Sequence, residues 1–310
     1  MRYCIIILLS LLCINAVGQS DSNVIKLADP AVFSHKGTYY LYGTVEQGSG
    51  GFTVYTSQDL LSWKLSAKNN GYALRKGDAF GDRGFWAPQV FEYRKKFYMA
   101  YVANEEIAIA EADSPLGPFT QKNKVSIPAS TKQIDPFIFA EGGKVYLYHV
   151  RLIKGNRIFV AELSDDLSSI KENTLTECIS AEAGWENTKS ADWPVAEGPS
   201  ILKRNGLYYL FYSANDFRNP DYAVGYATGK SPLGPWKKSA DNPIISRSLL
   251  GVNGPGHGDF FLSENNQLNY VLHTHNSDTK VGPRKTALIS MRLNKRVTVD
   301  KSSFRFLKFR

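Results

Sequence analysis

The sequence predicts an all-β protein, a five-bladed β-propeller of four-stranded blades. Three observations lead there. A unit of polar residue, short strand, hairpin turn and second strand returns five times. A second strand-and-turn motif follows most of those units. Helical periodicity is nearly absent after residue 20. Repetition of one small β unit along a chain is the mark of a propeller, whose blades are each a four-stranded sheet. Composition allows it: 43% apolar and 13% aromatic residues exclude a disordered chain, and 25 Gly with 14 Pro in 310 residues are too few for a collagen-like one.

The first unit runs from Asp29–Phe33 through a turn at Lys36 and Gly37 into Tyr39–Tyr42. The second runs from Trp86–Phe91 through Arg94 and Lys95 into Phe97–Tyr101. The third joins Asp135–Phe139 to Val145–Tyr148 through Gly142 and Gly143. In the fourth, Asn205 and Gly206 separate Glu197–Leu202 from Leu207–Tyr212, and Asn-Gly is a strong two-residue hairpin signal. The fifth leads from His257–Leu262 through Asn265 and Asn266 to Leu268–Leu272. The starting residues lie 57, 49, 62 and 60 apart, so five units fill nearly all of residues 19–310. The second motif, seen at Val54–Trp63, Ile109–Phe119 and Tyr226–Trp236 with weaker echoes at Phe159–Leu163 and Ala287–Met291, supplies the two outer strands.

Residues 1–18 stand apart. Arg2, the apolar run Ile5–Leu12 and the small residues Ala16 and Gly18 before Gln19 form a secretory signal peptide pattern. The run is shorter than the roughly 20 residues that span a bilayer, so no integral membrane segment is expected after cleavage. The expected location is periplasmic or extracellular. Removal of Cys4 and Cys13 leaves Cys178 alone, and the fold is expected to rest on packing without an internal disulfide. The net charge of +8 comes from scattered Lys and Arg with no long run, which fits a solvated surface and not a nucleic-acid groove. No feature of the sequence fixes an oligomeric state.

In a propeller the first strand of each blade lines the central channel, so residues at matched positions converge on the axis. Here they are Asp29, Trp86, Asp135, Glu197 and His257. Each has a plainer reading alone: Asp before Pro is a common turn element, Trp86 a core residue, His257 a packed histidine. Turn chemistry does not call for an acid at three of five equivalent places. Clustered carboxylates raise one another's pKa values, which suits a site needing one carboxyl protonated and another ionised. Glycosidic bond hydrolysis has that requirement, and aromatic side chains at the mouth offer flat apolar faces to sugar rings.

Ala28–Pro30, Phe85–Pro88, Ile134–Pro136, Ala196–Pro199 and Gly254–His257, in this order and at blade spacing, resemble family 43 glycoside hydrolases, five-bladed enzymes acting on arabinose- and xylose-containing polysaccharides. The resemblance implies that Asp29 is the general base, Glu197 the general acid, and Asp135 the carboxylate that orients the acid and tunes its pKa. It implies inversion at the anomeric centre, with base and acid roughly 6.5–9.5 Å apart. It places His257 beside a bound calcium ion, often through water. Trp86 is expected to line the terminal sugar pocket, and Trp185 and Trp193 to wall the leaving-group side. Arg284 is similar in placement to the family's arginine for the terminal sugar's hydroxyls, with a surface-turn role as the alternative. His273 and His275 are expected to be structural or to line the channel. The function implied is release of terminal α-L-arabinofuranosyl or β-D-xylosyl units from plant polysaccharide. The alternatives are an endo-arabinanase or exo-galactanase on the same scaffold, or a non-catalytic carbohydrate-binding propeller.

Overall fold

A computed structural model describes residues 21–48, 50–294 and 296–310. The signal peptide expected at 1–18 lies outside the described residues. The described chain folds into five antiparallel sheets arranged as blades I–V of a propeller. Their inner strands are Ala28–His35, Trp86–Tyr93, Gln133–Glu141, Ala196–Arg204 and Gly256–Leu262. Blades III, IV and V have four strands each. In blade II the outermost strand is reduced to a single bridge between Glu111 and Thr120. Blade I carries an additional ribbon, Gly51–Thr53 against Tyr72–Arg75.

The second strand of each blade explains why those segments read as unbroken apolar runs. Such a strand is buried on both faces, so polar residues do not alternate along it. Consecutive side chains point into different neighbours. In blade II, Met99 and Tyr101 join the cluster shared with blade I, while Ala100 and Val102 join that shared with blade III. Tyr212 packs toward blade III and Phe211 toward blade V. Leu41 packs with Val271 and Leu288 of blade V, and Tyr42 with blade II. Five clusters thus fill the five spaces between blades.

Ring closure uses the chain ends. Ile25 donates to the Leu307 carbonyl, Leu307 to Thr286, and Thr286 back to Ile25, at 2.9–3.0 Å. Lys308 and Phe309 then add a parallel strand to the outer edge of blade I. The amino-terminal segment is thereby held against the last blade without a shared central strand.

The inner strands share one irregularity. The register of each with its partner shifts between Ala28 and Ala31, Trp86 and Gln89, Ile134 and Phe137, Glu197 and Ser200, and Gly256 and Asp259. Each is a β-bulge whose first residue has positive φ: Asp29 (47°), Ala87 (45°), Asp135 (55°), Gly198 (59°) and His257 (38°). Pro30, Pro88, Pro136, Pro199 and Gly258 follow. Proline cannot donate to a ladder, and a bulge is where a strand tolerates it. This corrects the matched positions read from sequence. Asp29, Asp135 and His257 are equivalent, whereas Trp86 and Glu197 each precede the equivalent residue by one.

Candidate active site

The bulges decide what the inner strands present at the channel mouth. Left-handed backbone at a non-glycine residue costs on the order of 1–3 kcal/mol, and such strain gathers at functional sites. Among the inner-strand bulges it falls on Asp29, Ala87, Asp135 and His257. At Gly198 the strain is relieved and space is needed too: a Cβ there would fall 2.9 Å from His257 Cδ2. The Gly198 N–H donates to Asp135 Oδ2 at 3.2 Å, tying blades III and IV at the axis. Below these residues the four prolines and Gly258 narrow the channel to about 30 Å³.

Above that floor opens a cavity of about 650 Å³. Asp29, Trp86, Asp135, Trp193, Glu197, His257 and Arg284 all line it, although the sequence spreads them over 256 positions. Asp29, Asp135 and Glu197 are each less than a tenth exposed, whereas Trp86 and Trp193 are 38% and 49% exposed and form the rim. Trp185 does not reach the cavity: it packs against Tyr212 between blades III and IV. Trp185 is thus a packing residue and does not wall the leaving-group side as expected, whereas Trp193 stands at the rim.

The three carboxylates are set differently. Burial pushes Asp29 up, but the Arg284 guanidinium, His257 and His273 hold it well below the usual carboxylate range. Arg284 Nη1 lies 3.1 Å from Asp29 Oδ1, and the Thr44 hydroxyl donates to Oδ2 at 2.7 Å. Burial, then the charges of Glu197 and Asp29, push Asp135 well above that range. Glu197 rises to about 7, driven by burial and by the Asp29 and Asp216 charges against hydrogen bonds from Tyr222 and Asn156. Those bonds are 2.8 Å from the Tyr222 hydroxyl to Oε1 and 2.9 Å from Asn156 Nδ2 to Oε2. Asp135 and Glu197 are close enough to titrate as a pair, so the protons belong to the pair. At neutral pH the site therefore pairs an ionised Asp29 with a carboxyl pair that retains protons.

Arg284 is not a surface-turn residue. It is 7% exposed, pairs with Glu46 through Nε at 3.0 Å and its backbone N–H at 2.5 Å, and lies over the Phe217 ring at 4.5 Å. His273 is fully buried, stacked on Tyr222 with ring centroids 5.7 Å apart, and lies 3.1 Å from the Asp29 backbone N–H. Burial, with Arg284 nearby, pulls its pKa down to about 3, so it is neutral and acts as packing and hydrogen-bonding support. His275 bonds the Phe217 carbonyl at 2.8 Å.

His257 Nδ1 lies 3.4 Å from Asp29 Oδ1 and 3.9 Å from Asp135 Oδ2. Among the described residues no group of three His, Cys, Asp or Glu side chains is arranged to hold a metal. Calcium takes roughly six to eight oxygen ligands. This part of the channel offers an imidazole, carboxylates engaged elsewhere, and Asp259 Oδ1, which is buried without a hydrogen-bond partner. The side chains alone do not make a calcium cage.

Sequence reading missed Thr44, Glu46, Asn156, Phe217 and Tyr222, all close to the carboxylates. Thr44 had a usable signal, because it pairs with Ala28 across the first hairpin. The bulge shifts that register by one, which a count from the turn does not reveal.

The model of glycosyl hydrolases family 43 matches residues 23–296. A crystal structure of an endo-1,4-beta-xylanase from Bacteroides thetaiotaomicron is 41% identical, with a TM-score of 0.86, and the alignment covers 93% of this chain and 98% of that one. A thermostable family-43 glycoside hydrolase is 35% identical with a TM-score of 0.80, covering 89% and 93%. An extracellular exo-alpha-(1->5)-L-arabinofuranosidase from Streptomyces avermitilis is 21% identical over 267 residues, 80% of this chain and 54% of that protein. The chain thus spans about half the length of that curated relative.

Proposed function

The chain belongs to glycosyl hydrolases family 43, and from that premise we propose an exported, inverting glycosidase that removes terminal α-L-arabinofuranosyl or β-D-xylosyl units from plant polysaccharide. The observation that carries this reading is the opposed setting of two carboxyl groups in one cavity: Asp29 held ionised by the Arg284 guanidinium at 3.1 Å, Glu197 buried and held protonated to about pH 7. In this reading Asp29 takes a proton from water as the water oxygen bonds to the anomeric carbon. The bond to the departing oxygen breaks, and Glu197 gives that oxygen its proton. Asp135, sharing the protons of the pair, keeps one available at Glu197 and holds the Gly198 backbone that carries the acid. Arg284, braced by Glu46, keeps Asp29 charged while facing the sugar pocket. Trp86 and Trp193 supply apolar faces at the rim. The extracellular description of the Streptomyces relative accords with export, and no helix among the described residues is long and apolar enough to cross a membrane.

A second reading, internal cleavage of a main chain, is favoured by the name of the Bacteroides structure. A panel of aryl α-L-arabinofuranosides, β-D-xylosides and galactosides, followed by product analysis on arabinan and arabinoxylan, separates the two. Terminal release yields monosaccharide alone. A ladder of oligosaccharides from polysaccharide would replace it with the endo reading, and inactivity on every glycan and glycoside would favour a binding propeller.

A further inference from the structure

Glu197 is held by two donors, and one of them is itself held. Trp193 Nε1 donates to Asn156 Oδ1 at 2.9 Å, and Asn156 Nδ2 donates to Glu197 Oε2 at 2.9 Å. An amide can present either its oxygen or its NH₂ group to a neighbour. The indole N–H is a donor only, so it requires the amide oxygen on its side. The NH₂ is thereby left facing the carboxyl. The backbone makes the arrangement stiff: Asn156 N donates to the Pro194 carbonyl at 2.9 Å, and a Cβ at Gly155 would fall 2.6 Å from that same carbonyl. The loop bearing Trp193 is therefore clamped to the strand bearing Asn156.

We propose that Trp193 and Asn156 form a positioning pair for the proton donor, in which a rim tryptophan fixes the amide that orients the Glu197 carboxyl. The inference rests on Glu197 being that donor. It makes one side chain serve two ends, since the ring that would meet the leaving group also locks the acid. An acid ready to release its proton gains from a fixed donor at the oxygen where charge develops. Asn156 opposes the burial that pushes Glu197 up.

Other groups around Glu197 stay constant when this pair is changed. They are Asp29 of blade I, Asp135 of blade III, Asp216 and Tyr222 of blade IV, and His257 of blade V behind Gly198, with Arg284 beyond Asp29. The test is the pH profile of kcat/KM for Asn156→Leu and Trp193→Phe, each checked by thermal melting. Phe keeps a smaller apolar plate and removes the N–H donor. The basic limb is expected to move up by about one unit in Asn156→Leu and about half a unit in Trp193→Phe, with KM raised at most a few-fold in the latter. Unmoved limbs in both variants would overturn the proposal. A limb that moves only in Asn156→Leu would remove Trp193 from the pair, and a raised KM with an unmoved limb would make Asn156 a substrate contact instead. Failure of the donor reading shows separately, as a Glu197→Gln variant with full activity on substrates with poor leaving groups.

Discussion

Replacing Asp29 by Asn lowers kcat by roughly 10²–10⁴-fold, the usual contribution of a general base. The substitution keeps the shape of the side chain and an acceptor for the Thr44 hydroxyl. It removes the one carboxylate of the three that its neighbours hold ionised. Arg284 keeps Glu46 as a counter-charge, so its guanidinium is not left alone in the interior. Steady-state kinetics with an aryl glycoside, alongside a melting curve, checks this. A folded Asp29→Asn variant with full turnover would remove Asp29 from the chemistry.

The second large effect is at Glu197, where activity and stability are expected to move in opposite directions. Glu197→Gln lowers turnover by roughly 10²–10⁴-fold when the leaving group needs a proton. The loss shrinks for activated leaving groups such as nitrophenolates, which depart without one. Stability follows from linkage. The folded-state pKa of about 7 lies above the usual glutamate value near 4.3, so the native state binds more protons than the unfolded chain between them. Wild-type stability therefore falls as pH rises through that window, by on the order of 3 kcal/mol at its upper end. Gln carries no such charge. The variant is expected to melt above wild type at pH 8, with the gap closing toward pH 5. A gap independent of pH would contradict a buried, reluctantly ionised Glu197.

The five blades were legible because four of the five inner strands carry a proline near their start and the fifth a glycine, each leads into a turn, and the spacing leaves room for little else. What could not be read was the bulge. Its positive φ at Asp29, Ala87, Asp135, Gly198 and His257 turns two adjacent residues toward the axis in place of one, so Trp86 and Glu197 reach the same cavity from a different register position. Tyr222 and Asn156 come from strands and loops outside the repeated motif, where polar residues look like any surface turn. Arg284 lay in a Gly-Pro turn that resembles a solvent-exposed one. Its burial depends on Glu46 and Phe217, which are 238 and 67 positions away in sequence. Trp185 and Trp193 share one segment, and only packing against Tyr212 distinguishes core from rim.

The most direct measurement is proton NMR of the sugar in the first seconds of hydrolysis, before mutarotation mixes the anomers. Direct attack by water activated at Asp29, with Glu197 protonating the opposite side, releases the anomer inverted relative to the substrate. A first-formed product with retained configuration would require a covalent glycosyl intermediate and would contradict the assignment of Asp29 as a base acting on water.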